Sequence, residues 1–271
     1  MSKMKNVLTI AGSDSSGGAG IQADLKTFSA HGVYGMSVVT AITAQNTQGV
    51  MAVQDITADI VSKQIEAIFE DIRVDALKIG MTSQISTINA ISEGIKRYTP
   101  SNIVLDPVMV SKSGYHLLQQ SAIEALINVL LPLAQVVTPN IPEAEVITGM
   151  KISCIADMEK AAKAIYRMGP KSVLIKGGHL EREATDLLFD GTGFTYFKGK
   201  RIDTRNTHGT GCTLSAAIAS NLAAGCPVKE AVTRAKEYIT TAIENSLSIG
   251  KGVGPTNHFY TLYRKAGIAY E

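Results

Sequence analysis

Short runs of apolar residues alternate with segments of helical periodicity along most of the chain. The first run, residues 6–11, is rich in β-branched side chains and predicts a buried strand. Residues 21–31 follow, with Ile21, Leu25 and Phe28 spaced to share one face of a helix. Further strands are predicted at residues 36–44, 76–79, 102–105, 135–138 and 172–175, and further helices at residues 58–71, 85–98, 121–131, 142–148, 157–168, 212–223 and 228–244.

Repeated strand–helix units predict an α/β protein with a mainly parallel sheet that helices cover on both faces. Residues 187–197 depart from the alternation and resemble a β-hairpin turned at Asp190 and Gly191. No Pro-rich or Ser-rich linker, low-complexity tract or internal repeat interrupts the pattern. A single domain over residues 1–271 is therefore favoured over two domains.

Composition narrows the class of protein further. Hydrophobic residues make up 45% and charged residues 18%, as in an ordinary globular chain. The formal net charge of +2 and the absence of Trp argue against a nucleic-acid partner. Residues 125–137 are the most apolar later stretch, but they are too short to span a bilayer, so no membrane partner is expected. The cysteines (Cys154, Cys212 and Cys226) lack the paired spacing of a closed zinc site. We expect a soluble, cytoplasmic protein.

Candidate chemistry lies directly after the predicted strands, where parallel sheets bind their ligands. Residues 12–20 form a Gly/Ser-rich loop after the first strand. Its glycines would let the backbone approach a ligand, although a flexible connection fits the same residues equally well. The loop is not a P-loop, because no Gly-Lys-Ser/Thr follows it.

A second glycine-rich turn, residues 207–213, leads into an apolar helix. Free N–H groups at such a helix start would form an anion hole for phosphate or for transition-state charge. A cysteine in this first turn, Cys212, would have its thiol pKa lowered. The alternative is an ordinary helix start with a buried cysteine, but the two glycines beside Thr210 favour the functional interpretation. His179 and His208 have no metal-like pattern of neighbouring ligands.

Four polar residues at strand ends have both a structural and a functional interpretation. Asn140 and Glu143 predict a capping box, and the same groups could order water around magnesium near ATP phosphates. Asp106 would ordinarily be a strand-terminating turn residue. Lys176 would meet a nucleotide phosphate or lie solvated before a turn.

The order of these motifs resembles the ribokinase-like small-molecule kinases. Within that superfamily the chain is similar to the hydroxymethylpyrimidine/phosphomethylpyrimidine kinases of thiamine biosynthesis. The segments that carry this resemblance are residues 8–27, Thr43-Ala-Gln-Asn-Thr47, Lys78-Ile-Gly-Met81, Asp106-Pro-Val-Met109, Lys176-Gly-Gly-His179 and His208-Gly-Thr-Gly-Cys212. The similarity extends from residue 6 to Pro255, nearly the whole chain.

The resemblance implies a ribokinase-like three-layer α/β/α sandwich with a central, mostly parallel sheet, and usually a homodimer. It implies an ATP- and Mg²⁺-dependent kinase whose small-molecule substrate is 4-amino-5-hydroxymethyl-2-methylpyrimidine. Members of this family phosphorylate the hydroxymethyl group and then convert the monophosphate to the pyrophosphate.

The resemblance also assigns roles to individual residues. Those implied for the pyrimidine are Gln45, Gly12, Asp24, Met81 and Val108. The Gln45 amide both donates and accepts hydrogen bonds, so it matches the ring's amino group and adjacent nitrogen. The residues that the resemblance assigns to ATP binding are Lys176, Asn140, Thr207, Gly209 and Gly211. The residues that it assigns to Mg²⁺, bound through water, are Asp106 and Glu143.

The catalytic residues implied are Gly209, Thr210 and Gly211, which would supply the anion hole, and Cys212. Cys212 stands where most ribokinase-like enzymes carry an aspartate base. We hypothesise that its sulfur orients the substrate hydroxyl and accepts its proton, with a smaller effect than an Asp base would have.

Other functions fit the same sequence less well. Pyridoxine/pyridoxal kinases of vitamin B6 salvage share the Gly-Cys motif, but the similar bacterial enzymes tend to have Met-Asp where this chain has Gln45 and Asn46. Nucleoside or sugar kinases would carry Asp at position 212. A non-catalytic binding module would not need the acids, the lysine and the anion hole in this order. A dinucleotide-binding oxidoreductase is disfavoured by the spacing of Gly12, Gly18 and Gly20.

Overall fold

The computed structural model describes residues 3–109, 120–178 and 184–268. Its strands are β1 (Asn6–Ala11), β2 (Tyr34–Val39), β3 (Ala41–Asn46), β4 (Gly49–Asp55), β5 (Ala76–Ile79), β6 (Ile103–Leu105), β7 (Val136–Val137), β8 (Val173–Ile175), β9 (Ala184–Phe189) and β10 (Phe194–Gly199). Its helices are α1 (Gly20–Ala30), α2 (Ala58–Phe69), α3 (Ile85–Tyr98), α4 (Gln120–Ala125), α5 (Ile141–Thr148), α6 (Ile155–Tyr166), α7 (Thr210–Ala223), α8 (Val228–Glu244) and α9 (Tyr260–Lys265). After α4 the chain continues as a π-helical turn (Leu126–Leu130) and a 3₁₀ turn (Leu131–Leu133).

An eight-stranded sheet has the order β10-β9-β8-β7-β6-β5-β1-β2. Every pairing from β2 across to β8 is parallel, and β9 and β10 close the sheet in antiparallel pairs. The mainly parallel sheet and the late hairpin are thus confirmed. The hairpin turn is longer than expected, because the Asp190 side chain accepts the N–H groups of Thr192 and Gly193.

Helices cover the sheet on both faces, which gives the three-layer α/β/α sandwich. Leu77 and Ile79 of β5 belong to the apolar cluster that includes α2, α3, α5 and α6. Ala76 of the same strand belongs to the opposite cluster, with α1, α7 and α8. Both faces of the central strands are buried, which explains their continuous apolar runs. Among the described residues, no helix is both long and apolar enough to cross a membrane.

The expectation of one strand over residues 36–44 is wrong, because this run forms two strands in different sheets. β2 ends at Val39, and β3 leaves the large sheet to pair with β4 in an antiparallel two-stranded sheet. β4 was not expected, since most of its side chains are exposed or half-buried and give no apolar run. The Ser13 N–H donates to the Ala41 carbonyl at 2.8 Å, so this β3–β4 hairpin stands beside the loop after β1.

Candidate active site

An acid and a lysine from the ends of the two strands that flank β7 meet at the carboxyl edge of the sheet. Asp106 follows β6, and Lys176 follows β8. Lys176 Nζ lies 2.9 Å from Asp106 Oδ1, and Thr138 Oγ1, after β7, donates to the same oxygen at 3.1 Å. Ser215 Oγ of α7 donates to the other oxygen at 3.3 Å. Parallel strands therefore bring these two motif residues together as the sequence predicted.

Glu143 is a second carboxylate at this lysine. Its Oε2 lies 3.9 Å from Lys176 Nζ. Burial raises the pKa of Glu143 to about 7, partly opposed by the charge of Lys176. Burial also favours the neutral form of Asp106, but the charges of Lys176 and Lys78 hold the pKa of Asp106 below its ordinary value. The site thus holds one firmly ionised carboxylate and one that titrates near neutrality.

The predicted capping box at the start of α5 is confirmed. Glu143 N–H donates to Asn140 Oδ1 at 2.8 Å, and Asn140 N–H donates to Glu143 Oε2 at 2.7 Å. These two bonds fix the Glu143 carboxylate at the helix N-terminus, where it also faces Lys176. The structural interpretation is therefore confirmed, and it places the group where a role toward phosphate or metal is possible.

The glycine-rich turn before α7 faces the same acid and lysine. Gly209 has a φ of +78°, and Thr210 begins the helix. Within the described part of the chain, the N–H groups of Gly211 and Cys212 have no acceptor. A Cβ at Gly211 would lie 3.5 Å from both Asp106 Oδ2 and Lys176 Nζ. Free N–H groups and an ammonium group thus border one space, which is an arrangement suited to an anion.

The side chains of His208 and Asp14 join the two glycine-rich loops, and we call this pair the clasp. His208 Nε2 lies 2.7 Å from Asp14 Oδ2, and that carboxylate also accepts the N–H groups of Gly18 and Ala19. Although burial opposes it, the hydrogen bonds from His208 and Ser16 lower the pKa of Asp14. A Cβ at Gly209 would lie 1.8 Å from the Gly18 carbonyl oxygen. Sequence reasoning did not predict the contact of His208 with Asp14, because a single histidine next to a glycine carries no pairing signal.

Gln45 lies beside this clasp, near the end of β3. A β-bulge at Ala44 and Gln45 changes the register of the hairpin there. The Gln45 backbone N–H donates to Ser15 Oγ at 2.8 Å, and the Gln45 carboxamide contacts Thr43 Oγ1 at 3.3 Å and His208 Nε2 at 3.4 Å. The side chain is half-buried, so its remaining hydrogen-bonding capacity is open to a ligand.

Gly12 and Met81 are neighbours under the hairpin. A Cβ at Gly12 would lie 2.3 Å from the Met81 terminal methyl carbon, so a larger residue at position 12 would displace the end of this methionine side chain. The Met81 carbonyl accepts a hydrogen bond from Thr40 Oγ1 at 2.8 Å.

Val108 is half-buried, and its N–H donates to the Asp106 carbonyl. Thr207 is also half-buried and accepts the Thr210 N–H at its carbonyl.

Asp24 has no exposed surface. Its Oδ2 is 2.8 Å from the Nζ of Lys78, which is also fully buried, and it accepts Thr9 Oγ1 at 2.7 Å. Its full burial leaves no Asp24 surface open to a ligand in this structure. Lys78 carried no signal of its own, because a lysine in a short strand indicates a solvated position.

The expectation of a lowered thiol pKa at Cys212 is wrong. Burial raises the pKa of this thiol to about 11, against the opposing charge of Lys78, and the carboxylates of Asp24 and Asp106 raise it further. The backbone N–H of Gly20 favours the thiolate, but it does not outweigh desolvation. The position at a helix N-terminus is as predicted, yet surrounding protein and negative charge dominate.

No group of three or more metal-ligating side chains exists among the described residues. His179, quoted above in the Lys-Gly-Gly-His motif, lies outside the described residues. Asp106 and Glu143 are two oxygen ligands on either side of Lys176. Mg²⁺ commonly binds one or two carboxylates and takes its other ligands from water and phosphate, so this donor set fits that ion.

Comparison with known proteins identifies relatives of this chain. The sequence matches the family model described as phosphomethylpyrimidine kinase over residues 14–257. It is 57% identical over 261 residues to the hydroxymethylpyrimidine/phosphomethylpyrimidine kinase of Rhizobium meliloti, covering 95% of this chain and 98% of that protein. Identity to the protein of the same name from Escherichia coli is 45% over 262 residues, with coverage of 95% and 98%.

Solved structures from two related kinases match the fold. A phosphomethylpyrimidine kinase from Clostridium difficile is 56% identical, with a TM-score of 0.80 over 88% of this chain and 99% of that chain. An ADP complex of Bacillus subtilis pyridoxal kinase is 44% identical, with a TM-score of 0.90 over 96% of this chain and 99% of that chain. The TM-score is higher for the pyridoxal kinase, whereas the sequence identity is higher for the phosphomethylpyrimidine kinase. Because both share the fold, identity is the better guide to the substrate.

Proposed function

The chain belongs to the phosphomethylpyrimidine kinase family, and we propose that it phosphorylates 4-amino-5-hydroxymethyl-2-methylpyrimidine with ATP and then phosphorylates the monophosphate, in thiamine biosynthesis. The observation that carries the proposal is the anion-binding space bordered by Lys176, Asp106 and Gly211, with Gln45 beside the adjoining loop. Phosphoryl transfer depends mainly on positioning and on stabilising charge, and this geometry offers both.

ATP phosphates would occupy the space in front of α7. The free N–H groups of Gly211 and Cys212, the positive end of the helix dipole and the Lys176 ammonium group all favour negative charge there. Relatives solved with ADP and with AMP-PCP are pyridoxal kinases of the same fold. They support a nucleotide site in this chain, with Asn140 and Thr207 at its border.

Asp106 and Glu143 would hold Mg²⁺ through water molecules. When bound, the ion would neutralise charge on the transferred phosphate and orient it. The protein itself positions the charged groups of the site: Asp106 fixes the Lys176 ammonium group, and the capping box fixes the Glu143 carboxylate. A nearly neutral pKa at Glu143 makes its charge responsive to a nearby cation.

Gln45 would recognise the aminopyrimidine ring. Its carboxamide can donate to the ring nitrogen and accept from the exocyclic amino group, a pairing that pyridoxal cannot offer in the same form. Met81, seated against Gly12, would provide the apolar surface under the ring. The His208–Asp14 pair beside Gln45 would limit the directions that the carboxamide can take.

Cys212 would orient the substrate hydroxyl at the head of the anion-binding helix. Only the thiolate can accept the hydroxyl proton, and with a pKa of about 11 this form is a small fraction at neutral pH. We therefore expect the proton-accepting role to contribute modestly and to grow as the pH rises. Positioning by the thiol operates at all pH values.

Pyridoxal phosphorylation is the second candidate function. Its support is the TM-score of 0.90 with a pyridoxal kinase that is 44% identical to this chain. Gln45 opposes it as the main activity, so the proposal assigns it at most a side activity.

The proposal also includes one kinase domain over residues 1–271, a homodimer and a cytoplasmic location. The three cysteines are free thiols in the structure, which accords with a reducing compartment. Sedimentation of the purified protein tests the dimer separately from the catalytic activity.

The test is steady-state product formation with Mg²⁺-ATP and one acceptor at a time: the hydroxymethylpyrimidine, its monophosphate or pyridoxal. We expect kcat/KM for both pyrimidines to exceed that for pyridoxal. Lys176→Met should abolish turnover of every acceptor, whereas Lys63→Met, on the surface, serves as the matched control and should change nothing. A higher kcat/KM for pyridoxal would overturn the substrate assignment, and turnover by Lys176→Met would overturn the phosphate site.

A further inference from the structure

The side chain of His208 lies between two polar groups that belong to different loops. Its Nε2 is 2.7 Å from Asp14 Oδ2, in the clasp, and 3.4 Å from the Gln45 carboxamide. His208 is buried, and a Cβ at Gly18 would lie 2.4 Å from its Cδ2 atom, so the ring is packed in place. What the ring does to the neighbouring carboxamide depends on which of its nitrogen atoms carries a proton.

Asp14 determines that the proton of the clasp is carried by His208 Nε2. The Asp14 carboxylate also accepts the N–H and the hydroxyl of Ser16 at Oδ1, and the N–H groups of Gly18 and Ala19 at Oδ2. A carboxylate that receives this many donors is ionised and can only accept hydrogen bonds. His208 is therefore the donor in the clasp, and its protonated Nε2 cannot accept a hydrogen bond from an amide.

Thr43 imposes the complementary condition on the other side of the carboxamide. Its hydroxyl donates to the Ser13 carbonyl at 2.8 Å and lies 3.3 Å from the Gln45 carboxamide. The single hydroxyl proton serves the shorter of these contacts, so toward Gln45 the Thr43 oxygen can only accept. The group that this oxygen can bind is an amide N–H.

The two neighbours of the carboxamide thus require its opposite ends. In the structure, Gln45 Nε2 faces His208 and Oε1 faces Thr43, so two donors meet at 3.4 Å and two acceptors meet at 3.3 Å. A half-turn about the last side-chain bond exchanges the two amide atoms with almost no change of shape, and both contacts then become hydrogen bonds. His208 and Thr43 therefore favour the orientation with the amide oxygen toward His208.

We propose that His208 is a positioning residue for recognition of the pyrimidine: its Nε2–H, held by Asp14, orients the Gln45 carboxamide with the oxygen toward the clasp and the nitrogen toward Thr43. The inference rests on the proposed function and deepens it. The amide oxygen keeps a second lone pair for the exocyclic amino group of the ring, and the amide nitrogen keeps a second N–H for the ring nitrogen.

A fixed carboxamide gives the site a preference that a freely turning one would not have. A ring with the donor and acceptor exchanged could pair with Gln45 only if the carboxamide turned back, which would break its contacts with His208 and Thr43. The clasp therefore acts against the wrong ring as well as in favour of the right one.

The experiment compares the binding of two pyrimidines by isothermal titration calorimetry without ATP. One is 4-amino-5-hydroxymethyl-2-methylpyrimidine, and the other is its 4-oxo analogue, whose exocyclic oxygen accepts and whose adjacent ring N–H donates. The ratio of the two dissociation constants measures the preference, whereas general damage to the pocket would weaken both ligands alike. We expect the wild type to bind the amino compound at least about tenfold more tightly, because the analogue leaves polar groups mismatched.

His208→Leu removes the donor and lets the carboxamide turn. We expect the preference for the amino compound to fall by about three- to tenfold, the effect of one hydrogen bond. His208→Gln keeps an N–H donor and should retain most of the preference. In a Gln45→Met background, His208→Leu should leave the ratio unchanged, because the histidine acts through the carboxamide. The matched control is His258→Gln, at the buried histidine that contacts Thr213 Oγ1 at 3.0 Å, and it should also leave the ratio unchanged.

Thr43→Val removes the acceptor on the other side of the carboxamide without touching the clasp. It should lower the preference as well, and it keeps the test decisive if His208→Leu does not fold. Equal binding of both pyrimidines by the wild type, or an unchanged ratio in the variants of His208 and Thr43 that fold, would overturn the proposal. A further fall caused by His208→Leu in the Gln45→Met background would do the same. Selective binding of the amino compound without its phosphorylation would overturn the proposed function and leave this inference standing, and binding of neither pyrimidine would overturn both.

Discussion

Replacing Gly211 with alanine separates the anion-binding role of the α7 N-terminus from its folding role. A Cβ at this position meets Asp106 Oδ2 and Lys176 Nζ at 3.5 Å, an ordinary contact distance, and Gly211 is not among the glycines with positive φ. Alanine is also the better helix former, by up to about 1 kcal/mol. We therefore expect the Gly211→Ala protein to fold with wild-type stability or slightly higher.

Its activity should nevertheless fall steeply. The new methyl group would stand between the free N–H groups of the helix and the ammonium group of Lys176, in the space assigned to the transferred phosphate. The substitution keeps every N–H group but blocks the phosphate from reaching them, so we expect a loss in kcat similar to that for one lost donor to developing charge, about 100-fold or more. Steady-state kinetics together with thermal unfolding of the same preparation would measure both quantities.

Gly209→Ala is the contrasting variant. Its φ of +78° costs alanine about 1–2 kcal/mol, and the added carbon would lie 1.8 Å from the Gly18 carbonyl oxygen. This variant should lose stability, because the two loops must separate. If Gly211→Ala retained wild-type kcat and KM while folding normally, the assignment of the phosphate to this helix would be refuted.

Three further predictions concern specificity, the thiol and stability. Gln45→Met should lower kcat/KM for the hydroxymethylpyrimidine more than for pyridoxal, because it removes the donor–acceptor pair; an equal loss for both would contradict the recognition role. Cys212→Ser should lower kcat and flatten its rise at alkaline pH; retention of most turnover with an unchanged pH profile would exclude the base role. Burial lowers the pKa of His258 from 6.5 to about 4, so the unfolded chain binds more protons at this residue between these values, and its contribution to the free energy of unfolding is lost as the pH falls through this window. In urea unfolding, the free energy of unfolding of the wild type minus that of His258→Gln, which keeps a polar partner for Thr213, should therefore fall by about 2–3 kcal/mol from pH 7 to pH 4.5. The raised pKa of Glu143 acts in the opposite direction and cancels in this difference, and an unchanged difference would contradict the prediction.

Local sequence signals were sufficient to predict most strands of the large sheet and the capping box of α5. Buried parallel strands are apolar on both faces, so runs such as Ala76–Ile79 stand out from the amphipathic helices around them. The β3–β4 hairpin was missed for the converse reason. Its outer strand has no continuous buried face, and Thr40 alone marks the point where the chain leaves the large sheet.

The electrostatics of the site were less accessible to sequence reasoning. The thiol pKa of Cys212 depends on burial and on Asp24 and Asp106, which lie far from it in the chain. Lys78 has an apolar neighbour on either side, and nothing in that pattern distinguishes a buried lysine from an exposed one. The Asp14–His208 clasp joins residues 194 positions apart. Such pairings arise from the topology, which brings strand ends together.

The central claim is that one site phosphorylates the pyrimidine twice, and phosphorus NMR of a single reaction tests it most directly. The purified protein is supplied with Mg²⁺-ATP and the hydroxymethylpyrimidine as the sole acceptor. The account predicts that a monophosphate signal appears first and then gives way to a pyrophosphate signal, while ADP accumulates. Release of ADP without any phosphorylated pyrimidine, or no reaction in a preparation that phosphorylates pyridoxal, would contradict it.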